Sequence, residues 1–246
     1  MLRCKGLLWV GALFVLSAGL AREYDQEYLP HRPWFLAIPF GASLAASFLL
    51  WLTLWVASTW RAKVKAPFWK AYPRFLAVFW LTAPLAWLYA IPYERFMDPV
   101  SAVQANYATF GLVAAWRVYL MIRVAVVWTG RSLIGATGLV LLFGDVALLA
   151  ALFLSPWPPL ELMSGNANAA NSAAFMLRAM SVLVGVIALP FLAGVVISRM
   201  VAARVQDVFI YLDPHENKAD AGLWALALLP VVFFAALLPI TQPPLG

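Results

Sequence analysis

Three ionisable side chains sit deep in stretches apolar enough to enter a bilayer. Arg117 and Arg123 lie in the run 106–128, and Asp145, the only acidic residue inside any apolar run, lies in the run 132–154. If the fourth and fifth apolar spans are 108–128 and 134–154, Arg117 and Asp145 each fall one residue from mid-span, on consecutive helices joined by a short turn. A charge at the bilayer centre costs about 2.5–3.5 kcal/mol on insertion scales. Two such costs at matched depth predict an intramembrane ion pair between Arg117 and Asp145, facing the interior of a bundle.

Arg123 lies nearer the cytoplasmic end of its helix, roughly 8 Å from it at 1.5 Å per residue, where a guanidinium can snorkel. At 100° per residue Arg117 shares a face with Asn106, Phe110, Val113, Val124 and Trp128. Arg123 falls with Leu112, Trp116 and Tyr119 on another. One helix therefore aims its arginines in two directions, which implies protein or water on both sides. Gln104, Asn106 and Tyr107, with Arg123, form a candidate polar lining.

Other chemistries lack their residues. Intramembrane aspartyl proteolysis needs two aspartates in neighbouring spans, and only Asp145 is present; Phe143-Gly144-Asp145 matches part of such a motif, with Leu142 where a first glycine would stand. His31 and His215 both lie in loops, which argues against membrane haem, Ser–His hydrolysis and a histidine-rich metal site. No span contains the lysine that a retinal Schiff base requires, and no nucleotide-binding glycine motif occurs. The single cysteine, Cys4, excludes an intrachain disulfide. No catalytic residue, cofactor or metal is expected.

The elements that must position these charges are helices in lipid. Only 11% of the 246 residues are charged and 64% are hydrophobic, against about 25% charged in an ordinary globular domain. The composition predicts an all-α, polytopic transmembrane bundle of seven spans, or six if residues 1–21 are a cleaved signal peptide. Residues 1–21 combine Arg3 and Lys5 with an apolar run ending in small residues, which fits a leader cut after Ala21 and equally a retained first span. Residues 22–246 read as a single transmembrane domain with spans near 36–58, 75–91, 108–128, 134–154, 176–197 and 223–238.

Within the second span, Gly41, Ser43, Ala45, Ala46 and Ser47 are small enough to let helices approach. The basic segment after it holds Arg61, Lys63, Lys65, Lys70 and Arg74 and no acid. It is a topology determinant first, and possible contact for anionic lipid head groups second. Pro84 should kink the third span. Asp98-Pro99 reads as a helix start, cap followed by proline at the first position, so the fourth helix runs about 30 residues.

In the fifth span Gly138, Leu142, Asp145 and Leu149 share a face, and glycine beside Asp145 would let the fourth helix come close. Asn166, Asn168 and Asn171 predict a flexible polar stretch. After the sixth span, Ile197, Val201, Val205, Val208 and Leu212 recur at helical spacing, an amphipathic continuation.

With the N-terminus inside, eleven Lys and Arg residues fall on the cytoplasmic side and three outside, with Arg178 at the border. That bias places the C-terminus outside, in what is expected to be a bacterial inner membrane. The positive charge is spread over span flanks, so nucleic acid is not an expected partner; membrane lipids and other membrane subunits are.

The residues support two functional readings. In the first the chain is a non-catalytic structural or assembly subunit, or a partner-binding component, of a larger membrane complex, and Arg117–Asp145 locks two helices. The alternative is a transporter or flippase for an anionic or lipid-like substrate, with Arg117 a positive site at mid-depth that Asp145 occupies until substrate arrives.

Overall fold

The computed structural model describes residues 5–23, 37–59, 67–130, 132–154, 167–202 and 221–241. Every described element is helical: α1 (Lys5–Glu23), α2 (Ala37–Thr59), α3 (Phe68–Trp80), two short 3-10 segments (Pro84–Ala90 and Tyr93–Arg95), α4 (Pro99–Thr129), α5 (Leu133–Leu154), α6 (Ala167–Ala202) and α7 (Ala221–Thr241). Four described helices are long and apolar enough to cross a bilayer, Ala37–Thr59, Val100–Thr129, Leu133–Ala150 and Ala179–Ser198, and two shorter apolar helices accompany them, Gly6–Ala21 and Ala221–Leu237. The fold is an all-helical membrane bundle.

The third expected span is not one kinked helix. Its α-helix starts earlier, at Phe68, and ends at Trp80, four residues before Pro84. Proline has no N–H to continue the ladder, and its ring clashes with the carbonyl four residues back. The chain turns through residues 81–83 instead. The Ala83 N–H donates to the Trp80 carbonyl at 3.0 Å and the Thr82 hydroxyl to the Phe79 carbonyl at 2.6 Å. It then winds on as a 3-10 helix from Pro84 to Ala90. The sixth helix also departs from expectation. It is helical from Ala167, through Asn168 and Asn171, because the alanines between those polar residues are strong helix formers.

The chain divides into two compact units. Unit 1 comprises residues 1–52, 66–91 and 211–246. Its centre is α1, which buries Val10, Phe14, Ser17, Leu20 and Ala21 along one side. A Cβ built on Gly11 would lie 2.8 Å from the Trp80 Cβ and 3.2 Å from the Ala77 carbonyl, so α1 and α3 meet almost backbone to backbone. Six residues further along α1, the Trp87 indole donates to the Ser17 hydroxyl at 2.8 Å, and that hydroxyl donates to the Phe14 carbonyl. The two contacts advance together along both chains, so α1 and the broken span run parallel, as spans separated by one return crossing must. Leu20 and Ala21 also pack with Phe234 of α7.

α2 meets α3 through rings. Phe48 contacts Phe68, Trp69 and Tyr72, and Trp51 contacts Phe68 and Phe75, at centroid separations of 5.3 to 6.2 Å.

Unit 2 comprises residues 53–65 and 92–210. Asp98 caps α4 by accepting from the Val100 and Ser101 N–H groups, both at 3.1 Å, with Pro99 at the first position as expected. The helix ends at Gly130, whose φ of 60° is left-handed and suits glycine. α5 begins three residues later and packs against both α4 and α6.

Candidate functional site

The polar residues that the sequence singles out in α4 separate by face. Ala102, Thr109, Val113, Met121, Ala125 and Trp128 are buried at spacings of three, four, seven or eight residues, one face of the helix. Arg117 falls on this stripe, between Val113 and Met121, and is half-buried. The opposite face carries Leu112, Trp116, Tyr119 and Arg123, all exposed. The expectation that the two arginines look in different directions is therefore met: Arg117 lies on the packing face and Arg123 on the open one. Phe110, expected beside Arg117, is exposed.

Depth is set by the helix ends. Arg117 is twelve residues before the last residue of α4, Thr129, and Asp145 twelve after the first of α5, Leu133. At 1.5 Å per residue both stand about 18 Å from the shared turn.

Asp145 has a neighbour that the sequence did not flag. A Cβ built on Gly185 of α6 would lie 2.8 Å from Asp145 Oδ1 and 3.0 Å from Leu149 Cδ2. One built on Gly138 of α5 would lie 2.8 Å from Val195 Cγ1. The face shared by Gly138, Asp145 and Leu149 thus packs on α6. The glycine that brings a helix up to Asp145 is Gly185 of that partner, whereas Gly144 has nothing within 4 Å of its would-be Cβ. The sequence signal for Gly185 is faint: a lone glycine in an apolar run whose more evident feature is Pro190. The second carboxylate oxygen, Oδ2, is buried and accepts no hydrogen bond from the described residues. Asp145 thus offers an open acceptor valence at mid-depth, where water is scarce.

Near the head of α4, Gln104 is exposed while Asn106 and Tyr107 are half-buried. The polar contact made there is a different one. The hydroxyls of Tyr93, from the 3-10 turn before α4, and Thr109 lie 2.8 Å apart. Neither residue stands out in sequence, since a threonine on an apolar helix and a tyrosine in a loop are both common. In unit 1, Lys70 is exposed and Arg74 half-buried on α3; Arg61, Lys63 and Lys65, the rest of the expected lipid contact, lie outside the described residues. So do Cys4, His31, His215 and residues 203–212 of the expected amphipathic continuation. Among the described residues no three His, Cys, Asp or Glu side chains gather where they could hold a metal ion.

No protein-family profile, no curated protein and no solved structure matches this chain.

Proposed function

We propose that the protein is a non-catalytic structural or assembly component of a larger membrane complex, in a bacterial inner membrane with its C-terminus outside. One observation carries the reading: Asp145 is half-buried in the seam between α5 and α6, against Gly185. At Gly138 a methyl group would meet the stiff Val195 side chain of α6, and at Gly185 α6 receives the Asp145 and Leu149 side chains of α5. A carboxylate set against the backbone of a neighbouring helix is suited to holding helices together. Arg117, on the packed face of neighbouring α4, is the countercharge that matches Asp145 in depth. The pair then ties α4 to α5 while Gly185 ties α5 to α6. In unit 1, the packing of α3, the 3-10 segment and α7 on α1 supports residues 5–23 as a retained first span.

The test is a charge swap. Arg117→Asp alone lowers the amount of folded protein in the membrane, and adding Asp145→Arg restores both that amount and the partners recovered in mild detergent. If Arg117→Ala and Asp145→Ala each leave folding and recovery untouched, the lock does not exist.

A second reading, a transporter or flippase for an anionic or lipid-like substrate, draws on the break at residues 81–83. Interrupted helices near mid-depth are where carriers place their sites. Under that reading the double swap restores the level of protein but not movement of an anion.

A further inference from the structure

The open face of α4 carries residues that lipid does not satisfy at the depth where they stand. Trp116 and Tyr119 are 44% and 56% exposed, with ring centroids 6.3 Å apart, and Arg123 comes one turn later, also exposed. Tyr119 is ten residues from the end of α4 at Thr129, or about 15 Å. Trp116 is a further turn inward.

That end of α4 is fixed near the membrane boundary. α5 begins three residues after Gly130, and its 22 residues are needed to cross a hydrocarbon core of about 30 Å. Trp116 and Tyr119 therefore stand near mid-depth. Tryptophan and tyrosine belts form at the two membrane–water boundaries, where the N–H and O–H find water or head groups, and not between them. Arginine could snorkel from its position, but an indole and a phenol at the centre cannot. Among the described residues, none of the three polar groups has a hydrogen-bond partner. Tryptophan, tyrosine and arginine are also the side chains that dominate binding energy at protein interfaces.

We propose that the Trp116–Tyr119–Arg123 face docks a transmembrane helix of a different membrane protein, one that carries a carboxylate opposite Arg123 and an acceptor within reach of Tyr119. The proposal rests on the assembly-component reading and names the surface and the partner chemistry. Charge decides against a second copy of this chain. A two-fold axis along the membrane normal would bring one Arg123 toward the other in a low-dielectric medium, where like charges repel strongly.

The experiment places a benzophenone photo-cross-linker at Tyr119 of the full chain in its native membrane, with a control probe at Val186, an exposed position on α6. The expected product is an adduct to another polypeptide whose cross-linked peptide is an apolar span containing Asp or Glu. Arg123→Ala should lower its yield about tenfold, Arg123→Lys should retain most of it, and the Val186 probe should label lipid alone. Retention by the lysine variant separates loss of charge from loss of fold. An adduct between two copies of this chain overturns the proposal, as does a yield indifferent to Arg123→Ala. If Tyr119 labels only lipid while a stoichiometric partner still co-purifies, the surface is wrong and the assembly reading stands. If neither partner nor adduct is found, both fall.

Discussion

In unit 1, α2 and α3 touch through a ladder of rings, and the buried hydroxyls of Ser17, Ser47 and Thr82 donate to carbonyls three residues back, while Ser43 Oγ and the Trp80 indole N–H are buried without a partner among the described residues. The only carboxylate among its described residues is Glu23. In unit 2, α5 and α6 touch through glycines, and the charges Arg117 and Asp145 lie at mid-depth on the faces that pack. Lipid offers no hydrophobic drive for one helix to join another, so each unit needs a substitute. Large rings supply it as dispersion over a wide contact, at a generous separation. Small residues supply it as close backbone approach, which puts any polar group caught in the seam under strong mutual influence. Unit 1 uses both devices, rings between α2 and α3 and the Gly11 approach between α1 and α3, with no aspartate among its described residues, whereas the glycine seam of unit 2 holds Asp145.

The largest effect that separates the two modes is expected at Phe75, fully buried in the ladder between Trp51 and Phe79. In water-soluble cores Phe→Ala costs about 3–5 kcal/mol, part of it transfer out of water. Lipid removes most of the transfer part, leaving the cavity and the lost contacts, so Phe75→Ala should destabilise unit 1 by about 2 kcal/mol. Hydrogen exchange in bicelles should quicken across α2 and α3 with little change in α5 and α6. Equal quickening in both units would show that they unfold together, and that the contrast between them is one of composition alone.

A smaller effect is expected where unit 2 is tightest. Gly138→Ala puts a methyl group 2.8 Å from a valine branch that is stiff on its helix, so α5 and α6 must part slightly, for about 1 kcal/mol, the low end of what overpacking costs. Gly144→Ala, one and a half turns away on the same helix, meets nothing within 4 Å and should be neutral or stabilising by up to about 1 kcal/mol through helix propensity. Thermal unfolding of the pair in one detergent checks this. If the two alanines behave alike, close approach is not what holds the seam.

Much of this arrangement is legible in the sequence, and the reason varies by residue. Spans and caps are local: the apolar run 134–154 became Leu133–Leu154, and Asp98-Pro99 began α4 where the cap rule places it. The faces of α4 are legible because 100° per residue is geometry, and they divide Arg117 from Arg123 as expected. Choice of neighbour is not legible. Gly138 and Asp145 share a face from sequence, but only packing decides that α6 takes it, since a glycine stripe fits any smooth helix. Pro84 announces an interruption without saying whether the chain bends or changes winding. Proline removes one donor, and the course of the chain beyond it depends on whether Thr82 and Ala83 find other acceptors nearby. The Tyr93–Thr109 and Trp87–Ser17 contacts join residues 16 and 70 positions apart, and no pattern in sequence pairs them.

The smallest effect tests whether charge matters to unit 2 outside the membrane as well as within it. Asp98 is fully exposed at the first turn of α4. The Ser101 side chain and then the Ser101 and Val100 N–H groups hold its carboxyl below the ordinary 3.8. A carboxyl whose pKa is depressed by folding stabilises fully above its unfolded value and loses that contribution as pH falls through the folded one. The window is therefore below about pH 4. The first turn of α4 should fray there, seen as faster exchange at Val100 and Ser101, while unit 1, with no aspartate among its described residues, should stay unchanged. Asp98→Asn separates charge from shape. Asparagine caps a helix as well as aspartate does but does not titrate, so the variant should keep the turn at neutral pH and show no fraying near pH 3. Fraying of the asparagine variant under those conditions would assign the effect to some other acid, and would remove the idea that one capping carboxylate fixes where α4 begins.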